Sequence, residues 1–227
     1  MKPKTKADKL IARFPVTDLA IALSRTGERR ANFLRSFVDG FTTRSFRALR
    51  EVAPLIYNAQ PPLWELPTPN WSDIETKIRR GAGPHNADIN IGAAILLKDL
   101  ISRRSFKAIL SSEQFIHVGP GRIVKIGLNY YIVEDGNVIF QFVQPRADEK
   151  IDASVARALM SLVHYAYVFG DFEDAVVEMA DLSAVAKGSH RVPRFHRLNK
   201  TDLMTRNELN AEIDNVHGLL SKLARRH

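Results

Sequence analysis

The chain has 227 residues, of which 45% are hydrophobic and none is cysteine, and its 33 lysine and arginine residues outnumber 25 aspartate and glutamate residues. Without cysteine it cannot form a disulfide framework, a thiolate metal site or a cysteine nucleophile. No apolar stretch reaches the roughly 18 residues needed to cross a bilayer, and the basic N-terminus lacks the apolar core of a secretory signal. We therefore expect a globular, cytoplasmic protein of bacterial type that makes no membrane contact.

The first 39 residues are predicted to be mostly helical. Residues 7–39 are expected to form two helical pieces, with Thr17 as an N-cap because its hydroxyl can accept from a first-turn amide, and with a break at Gly27. Apolar residues between 33 and 38 recur at spacings of one, three and four, which is the pattern of one helix face.

A further helix is predicted from about residue 43 (TRSFRALREVAPLIYN), with Pro54 near its end. Arg44, Arg47 and Arg50 recur every three residues and therefore share one side of this helix. We predict that this side binds nucleic acid, because arginine side chains neutralise phosphate groups. The alternative is a solvated helix side on which the arginine stems cover apolar neighbours.

Residues 59–71 contain four prolines and two tryptophans. This composition excludes a helix and predicts a linker whose tryptophans pack against another surface. The spacing of Ser72 and Glu75 predicts a capping box at the start of a short helix. From Asp88, one long helix is expected to continue to about Phe115, or two helices with a break between residues 102 and 105.

β-Branched and aromatic residues dominate 122–134 and 137–144, which are therefore predicted to be strands. Asp135-Gly136 between them predicts a two-residue hairpin turn, because both turn positions need positive φ angles. Residues 152–169 are expected to form the buried amphipathic helix that follows this hairpin, capped by Asp152. A third strand is predicted over 175–184.

The C-terminal part begins with a predicted basic loop over 186–200, which we expect to contact phosphate groups. Its candidate nucleic-acid-binding residues are Lys187, Arg191, Arg194 and Arg197. From Thr201 a final helix is predicted, with an apolar stripe between Leu203 and Leu223. The stripe either packs on its own domain or pairs two copies of the chain in a homodimer.

The positive charge of the chain is concentrated at its two ends. Residues 1–50 carry 12 basic against 4 acidic residues, residues 51–186 carry 12 against 17, and residues 187–227 carry 9 against 4. Basic segments attract polyanions because phosphate contacts release counterions. The same charges also occur on ordinary solvated helix faces, so the distribution permits nucleic-acid binding without requiring it.

Two segments of the predicted hairpin resemble the core of the PD-(D/E)xK nuclease-like superfamily. Residues 127–136 (GLNYYIVEDG) resemble its second strand, and residues 138–146 (VIFQFVQPR) resemble its third strand with the Pro-Arg pair that often follows. The resemblance covers about 113–184 and implies an α+β fold, with a nuclease-like α-β-β-α-β core, a helical N-terminal region and a C-terminal helix. The expected parts are a basic helical region (1–58), a Pro/Trp-rich linker (59–71), the nuclease-like core (72–200) and the C-terminal helix (201–227).

The superfamily's motif residues are absent at the matching positions. Its Pro-Asp falls on Leu128-Asn129, its glutamate on Phe142 and its lysine on Gln144. In the superfamily the two carboxylates hold a divalent cation, which the amide and phenyl groups here cannot replace. The resemblance therefore implies a catalytically silent pseudo-enzyme without a cofactor or metal, which binds nucleic acid or a nucleic-acid-processing partner.

Two alternatives stay open. The first is a Mg²⁺-dependent nuclease whose metal ligands have shifted to Glu113, Asp135 or Glu178. The second is a homo-oligomeric regulatory or scaffold protein that pairs through 203–223. No P-loop, dinucleotide-binding or zinc-protease motif is present in the sequence.

Overall fold

The computed structural model describes residues 5–11, 14–40, 45–59, 69–117, 123–147, 151–184 and 190–225. Arg44, Lys187 and most of the 59–71 linker lie outside the described residues. Within these ranges, no helix combines the length and the apolar character that crossing a membrane requires.

Helices make up most of the described structure. They are α1 (Lys6–Ile11), α2 (Val16–Ser24), α3 (Gly27–Val38), α4 (Arg47–Asn58), α5 (Trp71–Ala82), α6 (Pro84–Ile101), α7 (Ala153–Tyr167) and α8 (Arg206–Ala224). Helix α7 lies in the centre of the molecule, because it packs against α2 and α8 as well as against strands of the main sheet.

The strands form two sheets. They are β1 (Lys107–Leu110), β2 (Gln114–His117), β3 (Ile123–Ile126), β4 (Tyr130–Glu134), β5 (Asn137–Gln144), β6 (Val176–Asp181) and β7 (Arg194–Arg197). The five-stranded sheet has the order β1-β4-β5-β6-β7, and the second sheet contains β2 and β3. Strands β5 and β6 are parallel, whereas the other neighbours are antiparallel. Helices and a mixed sheet confirm the predicted α+β class.

The predicted hairpin is confirmed for β4 and β5. Glu134 pairs with Asn137, so Asp135 and Gly136 form a two-residue turn, and their φ angles of 50° and 80° are both positive. Positive φ at both positions gives the turn a twist that matches the flanking strands.

The prediction of one continuous strand over 122–134 is wrong. Strand β3 ends at Ile126 and belongs to the second sheet, and residues 127–129 separate it from β4. The bend is held by the Tyr167 hydroxyl, which lies within hydrogen-bonding distance of the carbonyl groups of Ile126 and Leu128 and shares its one proton between them. The same hydroxyl accepts from the Gln114 amide at 3.1 Å, so one buried side chain satisfies the backbone where the chain changes sheets.

The predicted helix from Asp88 to Phe115 is wrong beyond Ile101. Helix α6 starts earlier, at Pro84, and residues after the turn at 102–105 form β1 and β2 instead. Strand β1 lies at the edge of the main sheet, where unpaired backbone groups need partners. Asn58 provides them, because its side chain donates to Ala108 O at 3.1 Å and accepts from Ala108 N at 2.8 Å.

Three predicted helix starts are displaced by a few residues. Helix α2 begins at Val16, so Thr17 is not an N-cap. Asn70, not Ser72, caps α5, and α8 starts at Arg206 with Thr205 as its cap, not at Thr201. The cap at Asp152 is confirmed, since its carboxylate accepts from Val155 N at 2.9 Å. Part of the predicted 186–200 loop is strand β7.

The apolar stripe of the C-terminal helix is buried within its own chain. Leu209, Ile213, Val216 and Leu220 are fully buried, and α8 packs against α1, α2, α3 and α7. The prediction that the stripe packs on its own domain is confirmed. Pairing of two chains through these side chains is therefore wrong, because their apolar surface is already covered.

Candidate functional site

A polar cleft opens between the first turns of α2 and α4 and the end of β5. It consists of an inner cavity of about 260 Å³ and an outer cavity of about 720 Å³. The two cavities share Pro15, Val16 and Arg50 in their walls, and we call them together the Arg50 cleft. The volume of the outer cavity is in the range of small-molecule binding sites.

The Arg50 cleft brings together residues that the sequence singled out for different reasons. Asn129 and Glu113 line the outer cavity, and Phe142 and Gln144 line the inner cavity. These are positions at which the nuclease-like resemblance places motif residues or a shifted carboxylate. Arg50, from the predicted basic helix side, lies between them.

Three of the four described cations in the cleft walls are ion-paired. The pairs are Arg47 with Glu51, Lys125 with Glu113, and Arg146 with Asp18. Arg50 is the fourth cation, and its guanidinium makes no hydrogen bond or ion pair with any described residue. Burial by the cleft walls lowers the pKa of its guanidinium, and the charge of Glu113 opposes this shift.

Gln144 lies in the wall of the inner cavity without a hydrogen-bonding partner. Its side chain is fully buried, and neither its amide nitrogen nor its amide oxygen has a partner among the described residues. Gln141 on the same strand is equally buried, but it accepts from the Tyr57 hydroxyl and donates to the Glu178 carboxylate. An unpaired buried polar group costs about 1–3 kcal/mol, so Gln144 is an unsatisfied donor and acceptor at this site.

The first turn of α2 also faces the inner cavity. Its N-cap residue is Pro15, which provides no side-chain hydrogen bond, and Val16 and Thr17 line the cavity. Backbone amides in the first turn of a helix have no intrahelical acceptor and carry partial positive charge. Asp18 lies in the same turn, but its carboxylate is held by Arg146, with one contact of 2.9 Å.

A second polar cluster, centred on Arg104, lies on the main sheet. Arg104 binds Glu134 at 2.5 and 2.7 Å and Glu178 at 2.8 Å, and its guanidinium lies 4.4 Å from the ring centroids of both Phe106 and Phe195. The bond to Arg104 lowers the pKa of Glu134. Burial lowers the pKa of Arg104, but its bonds to both carboxylates outweigh burial and raise it. These groups satisfy one another, so the cluster stabilises the sheet.

The three carboxylates of the shifted metal site lie in different environments. Glu113 pairs with Lys125 in the Arg50 cleft, Asp135 occupies the hairpin turn, and Glu178 belongs to the Arg104 cluster. The structure does not bring them together. Within the described ranges, no group of three or more histidine and carboxylate side chains is arranged to hold a metal ion.

The described arginines of the predicted basic loop bind groups within the protein. Arg191 donates to two backbone carbonyl groups, Arg194 pairs with the fully buried Asp181 at 2.6 Å, and Arg197 pairs with Glu178 at 3.0 Å. Their role in nucleic-acid binding stays a prediction, and the structure gives each of them a structural role.

Sequence reasoning missed the two buried ion pairs that shape these sites. Arg104 carries no local signal, since its partners lie 30 and 74 residues away. Asp18 does carry one, because it is a single charge in the otherwise apolar start of α2. A carboxylate in such a run is almost never buried without a partner, and the partner here is Arg146.

The fold and the cleft define an α+β protein whose cleft contains an unpaired arginine and an unsatisfied buried amide. Residues 17–226 match the family described as "sliding clamp-binding bacterial toxin SocB". The match covers most of the chain, and the chain belongs to this family. It is also similar to the DNA replication inhibitor toxin SocB of Caulobacter vibrioides (strain NA1000 / CB15N), with 27% identity over 203 residues that cover 87% of this chain and 84% of that protein.

Proposed function

We propose that this protein binds the bacterial sliding clamp and thereby inhibits DNA replication in the cytoplasm. The observation that carries the proposal is the family match over residues 17–226, which includes every described strand and, apart from Val16 at the start of α2, all described helices after α1. The partner predicted from sequence was nucleic acid or a nucleic-acid-processing protein, and a sliding clamp is a protein of the second kind.

The Pro/Trp-rich segment is the best candidate for the surface that contacts the clamp. Between the end of α4 and the start of α5 it contains Gln60, Leu63, Trp64 and Leu66 among four prolines, with no lysine or arginine. Short proline-rich peptides with aromatic and aliphatic anchors bind apolar grooves at low entropic cost. Trp71, the second tryptophan, instead packs against the described core and lies under Lys98.

A clamp-dependent primer-extension reaction tests the proposed function. We expect the purified protein to reduce synthesis by a replicative polymerase on a primed template loaded with clamp. Short extension by the same polymerase without clamp serves as the control and should be unchanged. Equal inhibition with and without the clamp would contradict clamp binding and would point to direct binding of DNA.

We further propose that the main-sheet region is a catalytically silent nuclease-like core. Its support is the order β4, β5, α7, β6, which follows the last four elements expected from the resemblance, whereas β1, β2 and β3 lie between α6 and β4. Further support is that Asn129, Phe142 and Gln144 line one cleft. A cleavage assay tests whether this core lacks nuclease activity. The protein is incubated with single-stranded DNA, double-stranded DNA or RNA, in the presence of Mg²⁺ or Mn²⁺ and, as a control, of a chelator. Metal-dependent cleavage by the protein would overturn this proposal.

A further inference from the structure

We propose that the inner cavity of the Arg50 cleft binds a phosphate group that belongs to a nucleotide or to a single strand of nucleic acid. This site is distinct from the clamp-binding function and does not depend on it. Three features of the described residues support it: an unpaired cation, a buried unpaired amide and an uncapped helix start.

The unpaired cation is Arg50. The other three described cations of the cleft walls are neutralised by neighbouring carboxylates, with Arg47 bound to Glu51 at 2.7 Å. The charges of Glu113 and Glu51 act on Arg50, but neither carboxylate forms an ion pair with it. Its guanidinium is therefore free to donate two parallel hydrogen bonds to a phosphate. One unpaired positive charge matches the single negative charge of a phosphodiester.

The buried unpaired amide is Gln144. Natural proteins rarely bury a polar side chain without a partner, and such exceptions occur where a ligand or water completes the bonding. The amide nitrogen of Gln144 can donate to a phosphate oxygen, and its amide oxygen can accept from a hydroxyl group. Gln144 lines the inner cavity, and rotation of its covered amide toward a bound phosphate would satisfy the group that the protein leaves unsatisfied.

The helix start belongs to α2, whose nine residues begin at Val16 without a side-chain cap. Amides at such a position bind phosphate because the helix dipole and the free N–H groups act together. Thr17 and Ser45 also line the inner cavity. The inner cavity thus offers donors from α2, α4 and β5.

The outer cavity limits what the ligand can be. Its walls carry Glu51 and Glu113, which are paired with Arg47 and Lys125, so the outer cavity offers no further unpaired cation to a second phosphate. The volume of about 720 Å³ is sufficient for a sugar and a base beyond the phosphate. The arrangement therefore fits one phosphate with its nucleoside better than a duplex backbone with closely spaced charges.

Calorimetric titration of the full-length protein at low salt tests the proposal. The probes are inorganic phosphate, deoxyadenosine 5′-monophosphate and a deoxythymidine 12-mer. We expect saturable binding of at least the two organic probes. Tighter binding of the 12-mer would identify a strand as the source of the phosphate, and equal binding would identify a nucleotide. Lack of binding by all three probes would overturn the proposal.

Variants locate the site. Arg50→Gln should weaken binding about tenfold or more, since a charge-assisted hydrogen bond is worth at least the 1.4 kcal/mol that corresponds to tenfold, and Arg50→Lys should retain part of it. Gln144→Leu should also weaken binding. A cooperative thermal unfolding transition should show that this variant is still folded. Lys222→Ala removes one positive charge from an exposed position of α8 and should leave affinity unchanged. Unchanged affinity in Arg50→Gln would overturn the proposal.

Discussion

Two buried glutamines on one strand should respond to the same substitution in opposite ways. Gln141 and Gln144 both lie on β5 and are both fully buried, and leucine has nearly the volume of glutamine. In Gln144→Leu the unpaired amide is replaced by an apolar group, so the cost of its burial disappears. We expect the free energy of unfolding to rise by about 1–2 kcal/mol, because unpaired buried amides cost about 1–3 kcal/mol.

In Gln141→Leu the change removes a partner from two buried groups. The Tyr57 hydroxyl loses its acceptor and the Glu178 carboxylate loses one donor. Each group left unpaired costs about 1–3 kcal/mol, and the arginines bound to Glu178 compensate part of this cost. We therefore expect the free energy of unfolding to fall by about 2–4 kcal/mol.

Equilibrium unfolding in urea measures both changes, provided that the m-values of the variants equal that of the wild type. The difference between the two variants should be at least about 3 kcal/mol when the two expected shifts are combined. If Gln144→Leu destabilises the protein as much as Gln141→Leu does, Gln144 has a bonding partner in the folded protein. That result would refute the reasoning about the inner cavity.

Three further predictions follow from the Arg104 cluster and from the linker. Glu178→Ala should destabilise the protein by about 3 kcal/mol in urea unfolding, because it leaves Arg104 with one carboxylate partner in a partly buried site. Equal stability of this variant and the wild type would contradict the prediction. The pKa of Glu134 is lowered from 4.5 by Arg104, so its stabilising contribution is complete above that pH and is lost as the pH falls through the lowered folded-state value. Glu134→Gln should accordingly flatten the loss of stability in acid, measured by urea unfolding at several pH values, and an unchanged pH profile would argue against it. The double variant Leu63→Ala/Trp64→Ala should weaken clamp binding about tenfold or more, measured by calorimetry, whereas Phe115→Ala, at an exposed apolar position of β2, should not.

Local signals predicted the elements that depend on local chemistry. Three such elements are confirmed by the structure, and each depends on residues that are adjacent or periodic in sequence. They are the Asp135-Gly136 turn, the Asp152 cap and the apolar stripe of α8. The α+β class, which the resemblance to the nuclease-like superfamily implies, is confirmed as well. The cap positions were wrong by a few residues where a competing residue, such as Asn70 or Thr205, was close in sequence.

Long-range contacts decided the elements that the sequence could not predict. Residues after Ile101 form strands instead of helix because Asn58 satisfies the edge of β1 from a different helix. The strand expected over 122–134 is interrupted because Tyr167 binds its backbone from α7. Tertiary contacts of this kind override local propensity, and the sequence gives no direct sign of them.

The candidate site was only partly predictable for the same reason. The sequence singled out Asn129, Phe142 and Gln144 by resemblance and Arg50 by helix spacing. Only the fold places them in one cleft, and only the fold shows that the arginines of the 186–200 loop bind partners inside the protein. Only a three-dimensional structure shows which polar groups are paired and which are not, because the partners of the paired groups lie far away in the sequence.

Direct titration of the purified protein with a purified bacterial sliding clamp tests the central claim most directly. We predict saturable binding of the clamp, with equal affinity for the wild type and for Arg50→Gln. The affinity of Leu63→Ala/Trp64→Ala for the clamp should be at least about tenfold lower. Absence of a complex between the wild-type protein and the clamp at micromolar concentrations would contradict the proposed function.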